Sequence, residues 1–278
     1  IGTAAGLTSK NRNAKERLVQ AETIWSLLGE GKKAPRADFD EGWRYILLGS
    51  EHTWCFENPT EPYFQDAIWK VKQSYFHEAE NRSIDMLAES LAPITDKSNG
   101  ALGPKEGPSN GGIAVINTHT WPHTGIITLS EAESLKGNKV IGPDGKEVLS
   151  QRLSTGELLF VAAEVPALSS CHYRVVEGDC TLDGGCKTDG TNLENDFLKL
   201  RIDPATGNIV RFINKKSGYD YVKNEGANTF AWLPANENRP LADTVTSISV
   251  TEKGPLAVEI RITSQAKGCR SISRSIRL

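Results

Sequence analysis

From Lys10 onward apolar side chains recur at Ala14, Leu18, Ala21, Ile24, Trp25 and Leu28, the spacing of one helical face. Ser9 stands where an N-cap belongs, and Gly29 and Gly31 end the pattern. A second helix is expected after Asp38 or Asp40, with Phe39, Trp43, Ile46 and Leu47 turned inward. The third is the clearest: Phe64, Ile68, Val71, Tyr75, Ala79, Met86 or Leu87, and Leu91 share one face. Pro59 and Pro62 precede it and Pro93 closes it. Three amphipathic helices with short turns predict a three-helix bundle over residues 10–94. Residues 95–112 carry five Gly and two Pro without periodicity, which is the composition of a linker.

Beyond the linker the period falls from 3.6 to 2. Strands are expected at Ile113–Asn117, Gly125–Leu129, Leu158–Ala162, Tyr173–Val176, Leu193–Ile202, Ile209–Asn214, Val245–Thr251 and Leu256–Thr263. In the last of these Val258, Ile260 and Ile262 face one way, and Glu259, Arg261 and Thr263 the other. Turn signals separate the strands at Pro143-Asp144-Gly145, Asp203 to Gly207 and Lys216-Ser217-Gly218. The expected fold is α + β in separate domains, a three-helix bundle followed by an antiparallel β-sandwich over 113–278. The chain starts Ile1-Gly2-Thr3, its only Met is Met86, and it stops inside a strand pattern (Ile272, Ile276, Leu278). It reads as a fragment, with the sandwich truncated and Ser271–Leu278 an edge strand open to association with a neighbouring molecule.

Lys and Arg number 32 against 35 Asp and Glu, a net charge of −3, which supplies no footprint for nucleic acid or an anionic membrane. The longest apolar run, Leu158 to Ala163, is far short of a bilayer span. No nucleic acid and no membrane is therefore expected among the partners. Of five cysteines, Cys171, Cys180 and Cys186 lie close together, but C-x8-C-x5-C is not a zinc pattern. A Cys180–Cys186 loop disulfide is one reading, and free thiols are the favoured one. Cysteine usage leaves the compartment open.

The chain contains no G-x-S-x-G, H-E-x-x-H, Walker-type loop or G-x-G-x-x-G. His119 and His123 are four apart, yet Trp121-Pro122 between them argues against a helix that would put both on one face; extended structure could still do so, with metal ligation the less favoured reading. His77 and His172 read as packing residues. His52 lies in Gly49-Ser50-Glu51-His52-Thr53-Trp54-Cys55, where the second helix should end, beside a large aromatic. Pattern alone favours a capping or packing role for it over a ligand.

Several phrases, in order, resemble glycoside hydrolase family 38, the α-mannosidases, and in particular a bacterial branch. Gly2-Thr3 with Leu7-Thr8-Ser9-Lys10 and Arg17 resembles the hand-over from the family's catalytic domain to its helical domain. Trp43 to Leu48 followed by Glu51-His52-Thr53-Trp54 resembles its second helix and His-containing turn. Leu193 to Leu198 with Gly207-Asn208-Ile209 resembles the opening of its C-terminal β domain. Gly254 to Val258 and Gly268 to Ile272 resemble its continuing strands.

The resemblance implies a retaining, metal-dependent glycosidase acting on α-mannosyl glycans, with zinc or another divalent ion as cofactor. Residues 1–9 would then end a catalytic domain missing from this chain, which supplies the other ligands and both carboxylates in cis. His52 matches the metal ligand that the family draws from its helical domain. Thr53 takes the place of an Asp that in the family helps hold the sugar hydroxyls, and Trp54 is a candidate stacking face for the sugar. No catalytic residue and no bound cofactor are expected in this chain by itself. Glu51 points about 100° away from its neighbour if both are helical, and Glu57 and Glu61 are candidate rim contacts. The alternative is a non-catalytic carbohydrate-binding or protein-interaction module in which His52 is structural.

Overall fold

The computed structural model describes residues 4–28, 34–51, 62–95, 112–223, 226–233 and 238–278. It divides into two compact units, Ile1–Ser109 and Asn110–Leu278.

The first unit holds helices α1 (Ala5–Leu28), α2 (Arg36–Ser50) and α3 (Pro62–Thr95), packed around one core. Their buried positions are Asn11, Ala14, Leu18, Ala21 and Ile24 on α1, and Phe39, Gly42, Ile46 and Gly49 on α2. On α3 they are Lys72, Phe76, Ala79, Ser83, Met86 and Ser90. On α2 and α3 the steps alternate between three and four residues, the 3.5-residue period of helices packed along a common seam, and α1 keeps to it as far as Ala21. Glycine makes the close approach on α2: a Cβ at Gly42 would come within 2.9 Å of Leu18 Cδ1.

Several expectations are corrected here. α1 starts at Ala5, so Ser9 lies inside the helix rather than capping it. Leu47 is 67% exposed, because Gly42 and Gly49 occupy the inward positions of α2. On α3 Ala79 and Met86 are buried as expected, but Lys72, Phe76 and Ser90 are buried one residue away from the expected Val71, Tyr75 and Leu91, leaving Val71 exposed. α3 also continues past Pro93 to Thr95, since a proline in the last turn removes only one helical hydrogen bond. His77 is exposed beside buried Phe76. The linker expected over 95–112 lies, apart from its two end residues, outside the described residues. No described helix is long and apolar enough to cross a membrane.

The second unit is antiparallel β-structure, with no helix longer than one short turn at Ala132–Ser134 among the described residues. Its first portion has strands β1 (Gly112–Asn117), β2 (His123–Leu129), β3 (Lys139–Ile141), β4 (Glu147–Val148), β5 (Ser150–Arg152), β6 (Leu158–Val165) and β7 (Ser169–Val176). They form the sheets β1-β7-β3-β4 and β2-β6-β5. Val140, Tyr173 and Val175 from one sheet meet Leu158, Phe160 and Ala162 from the other in a single core. Phe160 and Tyr173 touch across it, with ring centres 5.0 Å apart.

The second portion has β8 (Lys187–Thr188), β9 (Asn192–Glu194), β10 (Leu198–Ile202), β11 (Ile209–Asn214), β12 (Ala231–Trp232), β13 (Leu241–Ala242), β14 (Thr244–Lys253), β15 (Val258–Gln265) and β16 (Ile272–Arg277). Sheets β11-β10-β9-β8 and β14-β15-β16 share a separate core of Leu193, Leu200, Ile202, Val258, Ile260, Ile262 and Ile276. The expected single sandwich over 113–278 therefore gives way to two portions with one core each. The expected long strand at Leu193–Ile202 is a hairpin, because Asn195 Oδ1 accepts the N–H groups of Phe197 and Leu198 and turns the chain. β16 sits at the edge of its sheet, paired with β15.

A buried amide helps tie the portions together. Gln151, buried on β5, donates from Nε2 to Ala257 O at 3.0 Å and accepts the N–H groups of Leu256 and Ala257 at 2.8 Å each. Leu153, Leu159, Leu256 and Ala257 form a small apolar cluster at the same joint. Next to Gln151, Arg152 uses every guanidinium N–H: Nε on Asn138 Oδ1, the others on Ser134 Oγ and the carbonyls of Ser134, Gly137 and Gly156. Cys180 and Cys186 are free thiols with different neighbours, the Val148 carbonyl for one and the Leu278 carbonyl for the other.

Glu147 fixes the loop that carries Cys180. The Thr181 N–H above all, with the Thr181 hydroxyl and Lys139, holds its carboxyl at about 2 against 4.5 for a free glutamate, overriding the opposing effect of burial. An unfolded chain takes up this proton near 4.5 and the folded one only near 2. The stabilisation is thus complete above pH 4.5 and is lost as pH falls toward 2. Urea midpoints measured across that range should fall less steeply for Glu147→Gln than for the wild type. Identical slopes would remove Glu147 from the acid response.

Candidate functional site

The site expected from the sequence lies just beyond the end of α2. His52, Thr53 and Trp54 are outside the described residues, as are Glu57 and Glu61. The residues that bring the chain to that point are well defined. Asn11 on α1 donates from Nδ2 to Ile46 O at 3.1 Å and to Ser50 Oγ at 2.9 Å, and Ser50 Oγ donates to Ile46 O at 2.8 Å. Lys72 on α3, only 6% exposed, donates to the Glu51 carbonyl at 3.0 Å and pairs with its carboxylate at 2.9 Å. An ammonium group at a helix C-terminus also meets the negative end of the helix dipole. At Glu51 the backbone turns extended (φ −63°, ψ 138°), and the helix stops.

Both α1 and α3 thus fix where the chain leaves α2. Glu51 is committed to Lys72 and is no candidate nucleophile. Asn11 and Lys72 were invisible as anchors in the sequence, since a polar residue inside an apolar stripe reads as a break in it. The signal that finds them is their place in the 3–4 alternation of buried positions.

Elsewhere the structure brings together one pair that spacing left open. His119 and His123 have ring centres 5.1 Å apart on the turn between β1 and β2. His172 sits inside β7 opposite Ala114, half-buried. Among the described residues no three His, Cys, Asp or Glu side chains converge as a metal site. These residues alone do not fit a zinc centre of three protein ligands.

The carboxylates buried in the β unit are engaged in structure. Glu252 accepts the Ser154 N–H at 2.8 Å and the Ser154 hydroxyl. Glu259, 5% exposed, accepts from Thr251 at 2.8 Å and pairs with Arg277 at 2.8 Å. Burial pushes the Glu259 carboxyl up, and Thr251 and Arg277 outweigh it and hold the group below the usual range. An open cleft of about 240 Å³ lined by Asp179, Cys180 and Lys253 is smaller than ordinary ligand sites, and the Gln151 and Arg152 polar groups on its wall are spent on the fold.

Residues 193–278 match the model of the glycosyl hydrolases family 38 C-terminal domain. The match opens at Leu193 in β9 and runs through β16, so it covers nearly all of the second β portion and none of the first. Among solved structures, the chain is similar to an alpha-mannosidase from Enterococcus faecalis, with a TM-score of 0.60 and 15% identity over 93% of this chain. The chain spans about a third of that protein (34%). No curated protein matches the chain in sequence. The last third of the chain thus matches a domain model of the family that the phrases resemble, and most of the chain is similar in fold to that alpha-mannosidase.

Proposed function

We propose that this chain supplies the helical and β portions of a retaining, metal-dependent α-mannosidase-like glycoside hydrolase acting on α-mannosyl glycans. The observation that carries the reading is the family 38 C-terminal match at 193–278, within a chain whose fold follows a bacterial alpha-mannosidase. His52 is assigned as one ligand of a zinc or similar divalent ion, with Thr53 and Trp54 as sugar contacts. The remaining ligands, the nucleophile and the acid/base carboxyl come from a catalytic domain in cis. A metal bound there polarises and orients the sugar hydroxyls. The role of the described residues is positional: Asn11, Ser50 and Lys72 hold the end of α2 and with it the start of the segment that carries His52.

Two properties test this. The 278-residue chain by itself should hold no stoichiometric zinc at His52 and should not hydrolyse an aryl α-mannoside, even with zinc added. Joined to a segment carrying His-x-Asp and a further Asp, it should show both. Turnover by the chain alone would place the chemistry inside it. An inactive joined protein that still binds mannosyl glycan would favour a binding module.

A further inference from the structure

The turn between β1 and β2 is built more rigidly than its exposure requires. Asn117, buried at the end of β1, donates from Nδ2 to the carbonyls of Trp121 (2.8 Å), Val165 (2.9 Å) and Pro166 (3.1 Å). Its Oδ1 accepts the His119 N–H at 2.9 Å, and the His119 carbonyl accepts the Leu168 N–H at 3.0 Å. On this frame Trp121, 56% exposed, stacks on His119 with ring centres 4.7 Å apart and planes 15° from parallel. His123 opens β2 opposite Val165, and its ring lies 5.1 Å from that of His119 at 58°. Its Nε2 is 3.3 Å from where a side chain at Gly125 would begin, space that the glycine leaves free. Both imidazoles are exposed, and neither makes a hydrogen bond among the described residues.

We propose that His119 and His123 form a solvent-facing chelate for a transition-metal cation of the Cu²⁺, Ni²⁺ or Zn²⁺ type, distinct from the proposed His52 position and independent of the glycosidase reading. Two imidazoles on one ion, each with a metal–nitrogen bond of about 2.0–2.1 Å, have ring centres about 4.5–5.2 Å apart at angles from 90° to tetrahedral. The observed 5.1 Å falls inside that window. Paired imidazole nitrogens suit late first-row ions rather than Mg²⁺ or Ca²⁺. The Glu164 carboxylate accepts the Thr124 hydroxyl at 3.1 Å, and the proposed donor set is the two rings with water in the remaining positions. The Asn117 frame and the stacked indole have already ordered His119, which lowers the entropic cost of capture.

The test uses the full 278-residue chain and Cu²⁺. One equivalent should quench the part of the tryptophan emission that Trp121→Phe removes, because the ion sits one imidazole away from the indole. Electron paramagnetic resonance should show two nitrogen donors. His119→Ala and His123→Ala should each weaken binding by about tenfold or more, the loss of the chelate's effective concentration, and each should leave one nitrogen. Affinities of the wild type should rank Cu²⁺ above Ni²⁺ and Zn²⁺. Circular dichroism confirms that the variants are folded, and His123→Ala keeps the His119–Trp121 stack. Unchanged Cu²⁺ affinity in both single variants, or a two-nitrogen signal surviving their combination, would overturn the site.

Discussion

On the proposed reading, His52→Ala made in the joined protein should end metal-dependent hydrolysis of an aryl α-mannoside and leave the helices folded. Loss of a group that only supports a metal ligand costs about 10–100-fold in affinity or activity, and loss of a ligand itself costs more. Activity should therefore fall by more than about 100-fold, with zinc content falling in parallel. The fold should survive because the end of α2 is held by Asn11 on Ile46 and Ser50 and by Lys72 on Glu51. The readings are bound zinc, turnover and thermal melting of the helical unit. Full turnover in the variant would mean that His52 is structural.

Gln151→Leu unfolds the β unit at markedly lower urea. Leucine nearly matches the volume, so no large cavity forms, but the N–H groups of Leu256 and Ala257 lose their acceptor, while the Ala257 carbonyl keeps the Gly254 N–H at 3.1 Å. An N–H left dry costs about 1–3 kcal/mol, so the expected loss over the two is about 2 kcal/mol or more. Gln151→Glu should lie between, since a carboxylate still accepts both N–H groups but faces the Ala257 carbonyl with no donor. A loss below about 1 kcal/mol for the leucine variant would show that water replaces the amide.

The sequence disclosed the period change from helix to strand, and the alternation of Val258, Ile260 and Ile262 against Glu259 and Arg261 holds in β15. It misled where polar residues are buried. Lys72, Ser83 and Ser90 lie on the inward face of α3, the lysine through its pair with Glu51 and the serines by bonding back to the carbonyls of Glu80 and Leu87. A reading that seeks apolar residues slides past them by one position and turns Val71 inward instead. Strands of two or three residues such as Glu147–Val148 are too short to show a period. The split of the β unit into two cores was not visible either, because alternation says which residues share a face and not which sheet that face meets. Of the site, spacing marked His119 and His123 as worth watching, while His52 stood out only through its resemblance to a family.

The single buried cation of the α3 seam also works as a ruler. If α3 slid by seven residues against its neighbours, every inward position would still be inward, and an all-apolar seam would tolerate the shift. Here the slide would bring an ammonium to the level of Ala79, which is fully enclosed among Leu18, Ala21 and other small or apolar groups. It would also strip Glu51 of its partner. One polar residue in a repeating seam thereby selects one alignment out of several nearly equal ones. The height at which α2 ends is set to within a turn by that one side chain.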